Sequence, residues 1–77
     1  MNTRIRSLPM PPEEFIVLRA ILDVSQVRMA ELLGVGDERT IRGYEKGEHL
    51  IPGPARVLTR MLVELKLPFY TPGKPVG

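Results

Sequence analysis

The sequence predicts an all-α fold, a compact bundle of four to five helices in one small domain. Apolar residues recur at intervals of three and four positions, and no stretch alternates in the manner of a β-strand. Glycine or proline follows three of the four longer apolar stretches, as expected where helices end. The chain has 77 residues and 43% of them are hydrophobic, which suits a single core of aliphatic side chains.

The composition argues against several classes of function. The chain has no cysteine and one histidine, so it lacks the side chains for a disulfide or for a zinc site of its own. No apolar run reaches the roughly 18 residues of a membrane span, and no segment resembles a signal peptide. Neither a nucleophile with its base nor a pair of carboxylates suggests an active site. We therefore expect a cytoplasmic protein that is not an enzyme and needs no metal, cofactor or membrane.

The first eleven residues are predicted to form a flexible arm, and the first long helix follows at residues 12–22. Pro12 suits the first turn of a helix, where its missing N–H is not needed. Two glutamates follow it and favour the positive end of the helix dipole. One buried stripe is predicted at Phe15, Leu18 and Leu22.

A second helix is predicted at residues 26–33. Ser25 is a good N-cap, and Gly34 suits a helix end, where the left-handed backbone favours glycine. Its inward face is predicted to consist of Met29, Ala30 and Leu33. The small side chain of Ala30 allows the next helix to approach closely.

A third helix is predicted to begin at Glu38, after the N-cap Asp37, and to stop at Gly47. Ile41 and Tyr44 are three positions apart and face the core. A separate basic stripe at positions i, i+3 and i+7 is formed by Arg39, Arg42 and Lys46. The outward face of this helix is therefore polar and cationic.

A fourth helix is predicted at residues 54–67, where proline opens it and Pro68 stops it. Its apolar face is assigned to Leu58, Met61, Leu62 and Leu65. Arg56 and Arg60 are placed outside. The chain is thus divided into an N-terminal arm (1–11), a helical domain (12–67) and a C-terminal tail (68–77).

Three segments together resemble one known family, namely SQVRMAELLGV at 25–35, RTIRGYEKG at 39–47 and IPGPA at 51–55. They are similar to the Cro/repressor-type (XRE-like) helix-turn-helix domain, whose fold is lambda-repressor-like. The resemblance covers residues 13–65 and implies binding of double-stranded DNA by the second and third helices. It also implies a small transcriptional regulator of a phage or mobile element, including the type encoded beside anti-CRISPR genes.

The resemblance implies structural roles for individual residues. Gln26 matches a glutamine that starts the second helix and usually touches a phosphate. Arg19 and Glu45 match an ion pair that joins the first helix to the end of the third. The small and core positions of the motif are matched by Ala30, Gly34, Ile41 and Tyr44.

The sequence departs from the family pattern in two places. Counted from Gly34, Ile41 and Tyr44 lie one residue later than usual, so the extra residue sits within residues 35–37, where Gly36 can absorb it. Arg28 stands where the family often has glutamate, which removes a capping box and adds a positive charge.

Base-reading residues are expected at the start and on the outward face of the third helix. The set comprises Glu38, Arg39, Thr40, Arg42 and Gly43. Arginine contacts guanine O6 and N7 with both arms of its guanidinium, and the glycine allows the backbone to approach DNA closely. Glu38 either accepts from cytosine N4 or pairs with Arg42. Thr40 either contacts a thymine methyl or a phosphate, or it faces inward.

Phosphate contacts are expected from a second set of residues around this helix. The set comprises Gln26, Arg28, Lys46, His49 and Arg56. In the arm, Arg4 and Arg6 either touch DNA or belong to a frayed terminus.

The tail residues Leu67, Phe69 and Tyr70 extend beyond a minimal core. They either fold back over the first and fourth helices or contact the same surface of a second copy. We favour the homodimer, because it suits both a small core and a palindromic operator with half-sites about one helical turn apart.

The predicted function is sequence-specific binding of double-stranded DNA by a small transcriptional repressor that controls its own promoter. The alternative is the DNA-binding antitoxin of a toxin–antitoxin pair, in which a toxin is a further partner. A module that binds only proteins would differ from both, because its binding to duplex DNA would lack strong salt dependence.

Overall fold

The computed structural model describes residues 3–70, and over this range all regular elements are helices. The helices are α1 (Thr3–Arg6), α2 (Pro12–Leu22), α3 (Gln26–Leu33), α4 (Glu38–Lys46) and α5 (Gly53–Lys66). The radius of gyration is 11.3 Å, close to the roughly 11.5 Å expected for a compact chain of this length. The predicted all-α fold is confirmed over the described residues. The side chain of Arg4 and residues 71–77 lie outside them.

Local chemistry sets the ends of α3 and α4. Ser25 Oγ accepts a hydrogen bond from the backbone N–H of Arg28 at 3.0 Å. Asp37 Oδ1 accepts a hydrogen bond from the backbone N–H of Arg39 at 2.9 Å. Gly34 and Gly47 end these helices with left-handed backbones at φ 69° and 77°. These ends lie where the sequence predicts them. α5 begins and ends one residue earlier than predicted.

One core joins all the longer helices, because α3 packs on α4 while α2 packs on both α4 and α5. Its buried apolar side chains are Met10, Phe15, Leu18, Met29, Ala30, Ile41, Tyr44, Ile51, Ala55 and Val63. The rings of Phe15 and Tyr44 meet edge to face, with their centroids 5.6 Å apart and their planes at 85°. The core positions predicted in α4 are therefore buried, whereas Leu22 and Leu33, predicted in α2 and α3, are partly buried against the core.

The prediction of an N-terminal arm without regular structure is wrong for Thr3–Arg6, which forms α1. Arg6 is buried, and its Nε lies 2.6 Å from Glu64 Oε2 on α5. Further along, Met10 is buried in the core. This segment is ordered because its side chains and carbonyl groups have partners far away in the sequence.

The predicted apolar face of α5 is wrong at Met61 and Leu65, which are exposed, whereas Leu58 and Leu62 are half-buried. The buried positions of this helix are Ala55, Thr59, Arg60 and Val63, whereas Leu65 is 83% exposed. Arg60, predicted to lie outside, is fully buried. Its guanidinium is satisfied inside the fold by the carboxylate of Glu14 and by the backbone carbonyls of Arg6, Leu8 and Pro9. Because these acceptors bind the Arg60 guanidinium inside the fold, α5 is oriented with Arg60 toward the core and Leu65 toward solvent.

The ion pair between Arg6 and Glu64 makes stability depend on pH. The hydrogen bond from Arg6, supported by the attraction of its charge, lowers the pKa of Glu64 in the folded chain. The stabilisation is therefore complete above the unfolded pKa and is lost as the pH falls through the folded one. We expect Glu64→Gln to lower the Tm near neutral pH and to change it little in acid, as measured by circular dichroism.

The matched control for this variant is Glu48→Gln. Glu48 is exposed and has no ion pair among the described residues. Its substitution should shift the Tm equally little at both pH values. A similar pH-dependent decrease in Tm in both variants would contradict the assignment of the pH dependence to the Arg6–Glu64 pair.

Candidate nucleic-acid interface

α4 separates a buried face from a cationic one. Ile41 and Tyr44 lie in the core, and burial raises the pKa of the Tyr44 hydroxyl. The outward side carries Arg39, Arg42 and Lys46. Their spacing of three and four residues places the three side chains along one stripe of the helix. We call these three residues the basic stripe.

In the basic stripe, Arg39 and Lys46 are exposed and Arg42 is half-buried. Arg39 Nη2 lies 3.2 Å from Asp37 Oδ2, but the Arg39 side chain is 80% exposed and such a surface pair exchanges easily for another anion. The hydrogen bond from the Arg39 backbone N–H is the main cause that lowers the pKa of Asp37. Within residues 3–70, Arg42 and Lys46 have no ion-pair partner. The alternative that Glu38 pairs with Arg42 is therefore wrong.

A polar network joins α2, α3 and α4 beside the basic stripe. Arg19 Nε lies 2.5 Å from Glu45 Oε2, and Arg19 Nη1 donates to the Val24 carbonyl at 2.9 Å. The ion pair expected from the family resemblance is thus present. Gln26 Nε2 donates to Glu45 Oε1 at 3.1 Å. A phosphate contact from this amide nitrogen would have to compete with that bond.

The start of α3 adds one exposed cation. Arg28 pairs with Glu31 at 3.1 Å, and both side chains are more than half exposed. In the turn that follows α3, the Val35 N–H donates to the Ala30 carbonyl at 3.1 Å. Gly36 does not have a positive φ, and a Cβ added there would meet nothing within 4 Å. The extra residue of this turn therefore does not require glycine at position 36.

Gly43 does not offer a bare backbone to DNA, because the imidazole of His49 covers it. A Cβ built on Gly43 would collide with Cδ2 of His49 and would lie 2.9 Å from Nε2. The N–H groups of Glu48 and His49 both donate to the Gly43 carbonyl, at 2.9 and 3.3 Å. Gly43 is consequently buried, and the prediction that it reads bases is wrong. Thr40 is half-buried, between the two orientations predicted for it.

Two arginines assigned to DNA are held by the protein itself. Arg56 Nε donates to the Ser7 carbonyl at 3.0 Å and Nη1 donates to the Ile51 carbonyl at 2.7 Å. Arg56 is half-buried, and a phosphate contact from its guanidinium would have to compete with these two bonds. The suggestion that Arg6 touches DNA is wrong, since Arg6 is buried against Glu64.

The described part of the tail behaves in two ways. Tyr70 folds back against the core of its own chain, where burial and then the charge of Glu14 raise the pKa of its hydroxyl. Phe69 is 95% exposed and Leu67 is more than one-third exposed. Tyr70 therefore follows the fold-back alternative, whereas Leu67 and Phe69 remain open to a second copy.

The buried Arg60 and the packing of the His49 imidazole on Gly43 are among the arrangements that the sequence did not predict. A glycine inside a helix costs about 1 kcal/mol relative to alanine, which is the one local signal that something approaches α4 there. No group of three or more potential metal ligands occurs among residues 3–70, and no helix there is long and apolar enough to cross a bilayer. Comparison with family models, curated proteins and solved structures found no match.

Proposed function

We propose that this protein binds double-stranded DNA sequence-specifically and represses transcription as a homodimer, in the manner of helix-turn-helix regulators. The observation that carries the proposal is the basic stripe, with three cations on the outward face of a helix whose other face is buried. α4 has nine residues and is therefore about 13 Å long. This length suits a helix that lies in the major groove and reads roughly four base pairs.

The surroundings of α4 support the same proposal. Arg28 projects from the first turn of the neighbouring helix, where backbone N–H groups also favour phosphate. The network of Arg19, Glu45 and Gln26 holds α3 and α4 in a fixed relation. A rigid pair of helices orients the cations before DNA arrives, which reduces the entropy lost on binding.

A homodimer is part of the proposal because large apolar side chains are exposed toward the end of α5. Leu65 on α5 is 83% exposed, and Phe69, just beyond the end of this helix, is 95% exposed. Met61 lies one turn before Leu65 on α5 and is also exposed. A contact there would bury these side chains and would pair two copies of α4 for a two-fold symmetric site. A small dimer seated on its own promoter would repress by occupying the DNA that polymerase needs.

The experiment that tests the function is selection of bound sites from a library of random duplex DNA. We expect enrichment of a palindrome with half-sites about one helical turn apart, and an affinity that falls steeply with salt. The matched control pair is Lys46→Ala, which should flatten the salt dependence, and Lys66→Ala at the end of α5, which should not. Failure to enrich any sequence would overturn the proposal.

A further inference from the structure

We propose that His49 is a base-reading residue of this interface. Gly43, which has no side chain, leaves the space on α4 in which the His49 imidazole packs. The inference rests on the proposed DNA binding and gives His49 a role beyond a phosphate contact. Its basis is the contact between the imidazole and α4, which a side chain at position 43 would prevent.

The loop after α4 fixes the imidazole in place. Gly47 reverses the chain with a left-handed backbone, and the next two N–H groups donate to the Gly43 carbonyl at 2.9 and 3.3 Å. The ring atoms nearest to position 43 are Cδ2, Nε2 and Cγ of His49. The opposite edge of the ring, with Nδ1 and Cε1, therefore faces away from the helix. The imidazole thus stands where residue 43 would have carried its own side chain.

Position 43 is adjacent to the basic stripe. It lies four residues after Arg39 and three before Lys46, so the His49 ring sits beside both cations on the helix surface. His49 is exposed, and Nδ1 is a donor or an acceptor according to the tautomer. As a donor it matches N7 of a purine, which every purine presents in the major groove. The reading surface is therefore wider than the side chains of α4 alone.

The test uses four proteins, namely the natural chain, His49→Ala, Gly43→Ala and the double variant. Each is used to select sites from random duplex DNA, and affinities are then measured for the selected site and its single-base-pair variants. Alanine suits a helix better than glycine, and the exposed ring can swing away, so Gly43→Ala should fold and displace His49. Gly36→Ala is the matched control, because a Cβ there meets nothing within 4 Å.

We expect His49→Ala to lose roughly fivefold or more of the preference for a purine at one position of each half-site. Gly43→Ala should lose the same preference, and the double variant should lose no more than either single variant. Gly36→Ala should retain it.

Four outcomes would overturn the inference. His49→Ala could keep every base preference, or it could weaken all sequences equally, which would leave only a phosphate contact. Gly43→Ala could lose a preference that His49→Ala keeps, which would assign the effect to the backbone of α4. If the natural chain selected no sequence, the proposed function would fail and this inference with it. The first three outcomes leave the proposed function intact.

Discussion

Arg42→Ala is expected to weaken binding to the selected DNA site and to relax the choice of base at one position of each half-site. Arg42 is the middle member of the basic stripe and has no ion-pair partner among residues 3–70. A guanidinium that contacts guanine O6 and N7 contributes about 1–3 kcal/mol of discrimination. The loss should therefore be roughly 5- to 150-fold on the selected site and small on random DNA.

Two further variants separate base reading from charge. Arg42→Lys keeps the positive charge but not the planar fork, so it should retain random-DNA affinity and lose most of the base preference. Lys66→Ala removes a cation from the end of α5 and should change neither property. Affinity measured on the selected site and on each single-base-pair variant distinguishes these results. An Arg42→Ala protein with an unchanged preference at every position would remove Arg42 from the reading surface.

Helix ends and faces were predictable where the cause is local. Ser25 and Asp37 cap α3 and α4 through bonds to N–H groups two or three residues away, and Gly34 and Gly47 end them. The basic stripe follows from helical periodicity alone. These features depend on neighbours within one or two turns, so the sequence contains nearly all that determines them.

Long-range partners explain what the sequence did not predict. Arg56 resembles an exposed cation in the sequence, yet its acceptors include the Ser7 carbonyl, which is 49 positions away. Gln26 meets Glu45 across 19 positions. The rotation of α5 is the largest such difference, because a helix with an arginine at its centre is normally assigned its leucines as the buried face. Only acceptors brought in from other segments, three backbone carbonyls and the Glu14 carboxylate, make the opposite rotation favourable.

Arg60→Met is expected to lower the stability of the fold more than any other variant considered, because it removes the donor to these acceptors. The guanidinium is fully buried and donates to the Glu14 carboxylate at 2.9 Å, to the Arg6 carbonyl at 2.8 Å and to the Pro9 carbonyl at 3.1 Å. Methionine fills much of the volume but leaves these acceptors without a donor. Breaking one side of such a buried pair costs about 3–5 kcal/mol. This is a large part of the roughly 5–15 kcal/mol that typically stabilises a native protein.

Thermal unfolding and hydrogen exchange measure the effect of this variant. Arg60→Met should lower the Tm by more than about 12 °C and should speed amide exchange in α1. Adding Glu14→Gln should restore part of the lost stability, because the unpaired charge of the half-buried Glu14 is then removed. Lys66→Met is the matched control on the same helix, since Lys66 is exposed. If Arg60→Met lowered the Tm no more than Lys66→Met, the hydrogen bonds of Arg60 would not be what holds the N-terminal segment on α5.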